Sequence, residues 1–316
     1  MEIVFMGSPD FSIPVLEKLH QNKQITIKSV ISQPDRPRGR GQELQPTPVK
    51  KRAEQLGLKV ITTDDINQQE YVKFLEHLAP RLIVVAAFGQ ILSSEILGIP
   101  EIGCINLHAS LLPEYRGASP IHRAIIEGQT ATGVTIMFMD RGMDTGDIIR
   151  QKKVTINKDD TVGDLHDRLA RVGAVLMEKT LLDMDKGDYT RKPQQEKQAT
   201  YAHKLNKKTG LIDWNDTSKN IYNLVRGLNP WPVAYTFLDG DRIKIWEVDV
   251  VENKLEGEGQ PGEIIQVSSG NLLVQTGSGL LAVKQLQPPG KKKMSVVDYL
   301  NGYQIEKGQV FGSKVN

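Results

Sequence analysis

The chain reads as an α/β protein, with an open, mostly parallel Rossmann-like sheet carrying helices on both faces, followed by a small C-terminal OB-like β-barrel. Three observations predict this. At 316 residues the chain exceeds one ordinary core, so two domains are expected. Through roughly the first 180 residues short β-branched runs alternate with longer stretches of helical spacing, the pattern of parallel strands with covering helices. After the polar run KPQQEKQAT, at 192–200, the pattern changes to brief strands separated by turn residues, which suggests a small barrel. The expected division is an α/β domain over 1–188, a basic linker over 189–206 and a β-barrel domain over 207–316.

The elements follow in order. Residues 3–6 form the first strand, broken by Gly7, and Val15, Leu16 and Leu19 then recur at helical spacing. A second strand spans 25–31. Thr47 and Pro48 read as an N-cap and first helical residue, and Gly57 ends that helix. Buried strands are expected at 82–87 and 104–108, with two more at 134–139 and 148–154. A long helix capped at Thr161, with Leu165, Leu169, Val172, Val175 and Leu176 on one face, ends near Lys186 and Gly187. Beyond the linker a short helix is expected over 217–226. The later strands are punctuated by Asp239-Gly240, Ser269-Gly270 and Gly277-Ser278-Gly279.

Composition excludes several classes. The 39% apolar and 25% charged make-up is that of a soluble globular protein, and no run nears the roughly 18 apolar residues a membrane helix needs. No basic region leads into an apolar stretch at the N-terminus, and the single cysteine, Cys104, rules out an internal disulfide or a cysteine-rich zinc site. A cytoplasmic protein is expected, with a monomer as the default. The six histidines, at 20, 77, 108, 122, 166 and 203, show no ligand spacing, so no metal is expected. A net charge of +2 requires no nucleic-acid partner. Locally, residues 34–52 carry +4 and residues 191–208 carry +5. Taken alone, each cluster reads as a solvated face.

Asn106 and His108 sit two apart in GCINLHAS, so on a strand their side chains leave one face while Ile105 and Leu107 pack the other. In an open parallel sheet, ligands bind beyond the carboxyl ends of the strands, which is where these side chains would project. A strand also runs into MDRGMDTGD, a glycine-bounded loop with Asp140, Asp144 and Asp147. Aspartates beside glycines serve turns for backbone reasons, and Asp140 and Asp147 read that way. Asp144, between Gly142 and Gly146, is the better candidate for chemistry.

NLHASLLPEYRGASP followed by GVTIMFMDRGMDTGD resembles the folate-dependent formyltransferases, whose mark is an Asn-x-His strand running into SLLP and an aspartate some thirty-five residues later. Here His108 and Asp144 are 36 apart. Within that family, nearly the whole chain is similar to the members that act on methionine esterified to initiator tRNA. The matching stretches are MGSPDF, SQPDRPRGRG, VVAAFGQIL, YAHKLNKKTGLIDW, NPWP and LQPPGKKKM. Phe88 stands where tyrosine is common, and Ala109 where glycine is common.

The resemblance implies formyl transfer from 10-formyltetrahydrofolate to an amine. Asn106 would donate to the oxyanion, while His108 and Asp144 would share proton handling. The reduced folate would lie against Ser110, Leu111, Leu112 and Pro113 near Phe88, with backbone groups by Asp140 reading the ring edge. SLLP would otherwise be a plain turn. The partner implied is initiator methionyl-tRNA, held by Arg36, Arg38 and Arg40 of a breaker-rich loop at 33–46 and by Lys204, Lys207 and Lys208. Lys291, Lys292 and Lys293 would extend that track, or form a solvated loop. Two other readings remain open: a small amine such as an amino-sugar or nucleotide precursor as acceptor, and a non-catalytic folate or RNA-binding module. The absence of GxGxxG after the first strand argues against a dinucleotide enzyme.

Overall fold

A computed structural model describes residues 1–38, 41–251, 259–268 and 270–312. Two compact units emerge. The first comprises 1–120, 131–155 and 166–202, and the second 121–130, 156–165 and the residues from 203 onward. Neither is one continuous stretch of sequence. The segment expected as a linker counts with the first unit as far as Ala202, because residues 192–202 are hydrogen-bonded to that unit at Ile148, Pro113 and Arg116.

The first unit begins with β1 (Glu2–Gly7), α1 (Ile13–Gln21) and β2 (Thr26–Ser32), followed by β3 (Arg36–Arg38) and β4 (Glu43–Gln45). Next come α2 (Pro48–Gln55), β5 (Val60–Thr62), α3 (Gln69–Leu78), β6 (Leu82–Ala86), α4 (Ser94–Leu97) and β7 (Gly103–His108). α5 (Pro120–Ile126), which from Ile121 onward counts with the second unit, precedes β8 (Ala131–Phe138), β9 (Ile148–Thr155) and α6 (Val162–Asp185). The sheet order is β5-β2-β1-β6-β7-β8-β9. Its first five strands are parallel, β8 pairs antiparallel with β7, and β9 pairs antiparallel with β8.

The local chemistry explains these elements. Residues 3–7 of β1 are wholly buried, as befits a parallel strand covered on both sides. The Thr47 hydroxyl accepts from the Lys50 amide to cap α2, with Pro48 as its first residue. Thr161 and Asp164 cap α6 reciprocally. One sheet face packs against α3 and α4 through Val4, Met6, Ile83, Val85 and Cys104. On the other, Gly173 of α6 lies so close to Leu107 that a β-carbon there would meet the leucine side chain at 2.6 Å.

Three expectations need correction. Val175 points to solvent, 60% exposed, and α6 instead buries Leu165, Leu169, Ala174, Met177 and Leu181. The 33–46 loop contains an element: β3 and β4 pair as an antiparallel ribbon. The short strand β5 and helix α3 were not anticipated.

The second unit carries α7 (Ser218–Gly227), β10 (Ala234–Leu238), β11 (Asp241–Val251), β12 (Ile264–Ser268), β13 (Asn271–Gln275), β14 (Leu280–Gln287), β15 (Met294–Ser295) and α8 (Val296–Gly302). Asp239 and Gly240 both take positive φ, 49° and 85°, as a tight hairpin requires. Ser269, in the next expected turn, lies outside the described residues. The antiparallel order is β10-β11-β14-β13-β12, with β15 on β14. Residues 308–312 then join the two edges. Gly308 and Phe311 bond to Ile264 and Gly262 beside β12, while Gly312 exchanges both backbone bonds with Phe237 of β10. This closes the sheet into a barrel around Trp214, Ile245, Val274, Leu281 and Leu286. Phe311 stacks on Trp214 at 5.5 Å, and the Trp214 indole donates to Thr236 at 2.9 Å.

Candidate active site

The candidate site lies in the first unit. The strand order changes direction between β1 and β6, and β7 lies beside β6, so the carboxyl end of β7 opens next to this switch point. Asn106 and His108 leave one face of β7, shared with their cross-strand partners Met137 and Thr135 of β8.

Three segments converge on that face. The chain after β7 turns back across β8 and β9: Thr135 Oγ1 donates to the Ser110 carbonyl and accepts from the Leu112 amide, and Gln151 donates to the Leu112 carbonyl. The 139–147 loop brings Asp144 to His108, with Nδ1 and Oδ2 3.6 Å apart. The 192–202 segment packs beside both, Gln194 donating to the carbonyls of Asp144 and Gly146 at 2.8 Å each.

His108 is 6% exposed, and its Nε2 lies 2.9 Å from the Tyr115 carbonyl. A carbonyl only accepts, so that nitrogen carries a hydrogen and Nδ1 is the one that faces Asp144. Asp144 also accepts from the Gly117 amide at 2.8 Å. The Asn106 amide makes no hydrogen bond to protein among the described residues and is only half-buried. A donor, a ring nitrogen and a carboxylate thus share one face. Burial pushes the Cys104 thiol up to about 12, so it offers no thiolate nucleophile.

The loops are held in demanding geometry. Tyr115 and Asp144 have φ of 59° and 56°, in the left-handed region. A β-carbon on Gly146 would overlap the Phe138 carbonyl oxygen, and one on Gly142 the Thr145 hydroxyl. Gly146→Ala is therefore expected to displace the loop, costing about 1–3 kcal/mol of stability. A misplaced Asp144 should also lower kcat on the order of 100-fold. Thermal unfolding and single-turnover rates check both, and an unchanged rate contradicts the account.

The other expected residues are distributed as follows. Asp140 is exposed and spends its carboxylate on the Gly142 amide and the Thr145 hydroxyl. Phe88 is 1% exposed within the core, Leu112 packs with Met137 and Ile148, and Ser110 is fully buried, donating to the Glu114 carbonyl. Among these expected folate contacts, side-chain surface remains at Leu111, Pro113 and Asp140. Arg36 lies exposed on the ribbon of the first unit, while Arg40 falls outside the described residues, as does the Arg38 side chain. Lys204, Lys207 and Lys208 are exposed on the second unit, the latter two in a short turn capped by Asn206. Sequence reasoning missed Tyr115, Arg116, Gly117, Thr135 and Gln194. The first four lie inside the two stretches that carry the family resemblance, and Gln194 lies in the polar run that follows them.

Residues 1–181 match the family described as Formyl transferase, and residues 204–304 match Formyl transferase, C-terminal domain. The chain belongs to the formyl transferase family. This formyl transferase is 52% identical over 318 residues to a protein of Halothermothrix orenii named methionyl-tRNA formyltransferase, covering 99% of this chain and 100% of that one. A protein of the same name from Alkaliphilus metalliredigens is 46% identical, covering 99% of each chain. Among solved structures, a Helicobacter canadensis N-formyltransferase complexed with folinic acid and dTDP-3-aminofucose aligns with a TM-score of 0.66 at 20% identity, over 92% of this chain and 99% of that one. HypX from Aquifex aeolicus in complex with tetrahydrofolic acid gives 0.62 at 15% identity, over 98% of this chain and 50% of that one. At such identities the structures bear on the fold alone.

Proposed function

We propose that this formyl transferase moves the formyl group of 10-formyltetrahydrofolate to the amino group of methionine esterified to initiator tRNA, giving N-formylmethionyl-tRNA in the cytoplasm. The carrying observation is the His108–Asp144 pair on the same face as the Asn106 amide, which has no hydrogen-bond partner among the described residues. The full-length relatives supply the acceptor by their name.

The reaction is acyl transfer. The amine nitrogen attacks the formyl carbon, a tetrahedral oxyanion forms, and the bond from that carbon to the folate nitrogen breaks. Asn106, without a hydrogen-bond partner among the described residues, donates to the oxyanion, where it stabilises charge absent from the ground state. His108 has one nitrogen fixed on the Tyr115 carbonyl, so Nδ1, facing Asp144, is the nitrogen that exchanges a proton, which it carries in the imidazolium form. That proton goes to the departing folate nitrogen. Asp144, held by the Gly117 amide, orients the ring, takes up the proton that the attacking amine loses and passes it to the adjacent Nδ1, restoring both groups.

Leu111, Pro113 and the backbone around Asp140 offer surface for the folate ring. Arg36, Arg38 and Arg40 in the first unit and Lys204, Lys207 and Lys208 in the second serve the tRNA. In this reading the first unit performs the chemistry and the second holds nucleic acid.

Incubation with 10-formyltetrahydrofolate and charged initiator tRNA, with N-formylmethionine measured, tests the reading. No formylation of the tRNA, alongside transfer to a small amine, refutes the acceptor. Salt gives an independent check. Each of Lys204→Ala, Lys207→Ala and Lys208→Ala is expected to weaken tRNA binding and reduce the slope of log affinity against log salt by about 1. Slopes equal to wild type for all three remove these lysines from the tRNA interface.

A further inference from the structure

Arg116 is completely buried, with 0% of its side chain exposed. A buried guanidinium must place its donors on protein acceptors, and these run to the 194–196 segment. Nε and Nη2 both reach Gln194 Oε1, at 3.1 and 2.9 Å, and Nη1 reaches Glu196 Oε1 at 2.9 Å. Two donors on one amide oxygen leave the Gln194 side chain a single orientation. Its NH2 group then points to the carbonyls of Asp144 and Gly146.

The neighbours of Arg116 grip the same pair of catalytic groups. The Tyr115 carbonyl holds His108 Nε2, and the Gly117 amide holds the Asp144 carboxylate. Tyr115 and Arg116 are themselves tied to the other segment, through Tyr115 N to Thr200 Oγ1, Arg116 N to the Thr200 carbonyl, and the Arg116 carbonyl to Ala202 N. Three consecutive residues thus reach His108, the Asp144 side chain and, through Gln194, the Asp144 backbone.

We infer that Gln194, oriented by Arg116, is a positioning residue that holds Asp144 in its left-handed conformation against His108. The inference rests on the assignment of Asp144 to the reaction. A left-handed φ of 56° is unfavourable for an aspartate, so the loop keeps it only while its carbonyls are held. Gln194 supplies that hold from a distant part of the chain, and touches no reacting atom.

Gln194→Glu separates the two ends of this link. Its carboxylate still accepts from Arg116, so the segment stays anchored, but it cannot donate to the Asp144 and Gly146 carbonyls. The expected result is a lowered unfolding temperature, since two carbonyls lose their donor, with unchanged KM for the folate donor and kcat lowered on the order of 10- to 100-fold. Gln194→Ala is expected to lower kcat similarly and to destabilise further, since it strands the Arg116 donors. In the Asp144→Ala background, Gln194→Glu should cost nothing further, because the group it positions is gone.

Near-wild-type kcat for Gln194→Glu overturns the inference, as does a full additional loss in the Asp144→Ala background. The Asp144→Ala enzyme alone separates the two levels of the argument. If it retains full activity, the role of Asp144 fails and the inference falls with it. If it is inactive while Gln194→Glu is normal, only the inference fails.

Discussion

Replacing His108 with alanine is expected to lower kcat for formyl transfer by about 10²–10⁴-fold, the range for loss of a general acid. The imidazole is buried between two fixed partners, the Tyr115 carbonyl on one nitrogen and the Asp144 carboxylate 3.6 Å from the other. A replacement that merely fills the space has no second nitrogen to carry a proton to the leaving group. His108→Ala also leaves the Tyr115 carbonyl without its donor, a cost of about 1–3 kcal/mol. His108→Gln, whose amide nitrogen takes the place of Nε2, can restore that donor, and is expected to regain stability without regaining rate. Single-turnover rates with saturating folate, alongside thermal unfolding, separate these effects. A rate within a few-fold of wild type for either variant removes the histidine from proton transfer.

Asn106→Ala is the second large effect, expected to lower kcat on the order of 10²–10³-fold with little change in donor binding. The amide has no structural duty among the described residues: no protein hydrogen bond depends on it, and Ile105 and Leu107 on the opposite face carry the packing. Stability should therefore stay close to wild type. Asn106→Asp sharpens the test, since it keeps the shape but presents negative charge to a developing oxyanion. Its loss should be at least as large as that of the alanine variant. If both variants instead raise the donor KM at unchanged kcat, the side chain binds substrate uniformly and does not favour the transition state.

The pairing of Asn106 with His108 was legible because a strand alternates faces with period two, a purely local rule. Asp144 was not legible on that basis. Its approach to His108 depends on a loop folding back over the sheet, and the family interval, more than its place between two glycines, pointed to it. Gln194 was beyond reach altogether: it sits in a polar run without periodicity, and its bonds to the Asp144 and Gly146 carbonyls span 50 and 48 positions. The helix caps at Thr47 and Thr161 were visible for the same reason as Asn106 and His108, being rules of adjacent residues. Val175 was misassigned because its spacing fits the helical stripe, whereas the buried face is set by what α6 packs against. The inclusion of residues 121–130 and 156–165 in the second unit left no mark in composition.

The closure of the barrel by residues 308–312 bears on how this protein is made. During synthesis the strands β10 to β14 leave the ribosome before the segment that joins their edges. Until Phe311 reaches Trp214 and Gly312 reaches Phe237, the Phe237 side of β10 and the approach to β12 present unpaired backbone groups. Such edges recruit other strands, including those of a neighbouring nascent chain. The interval of translation before residues 308–312 emerge is thus the one in which this domain is most exposed to misassembly, and the one in which a holding chaperone would matter most.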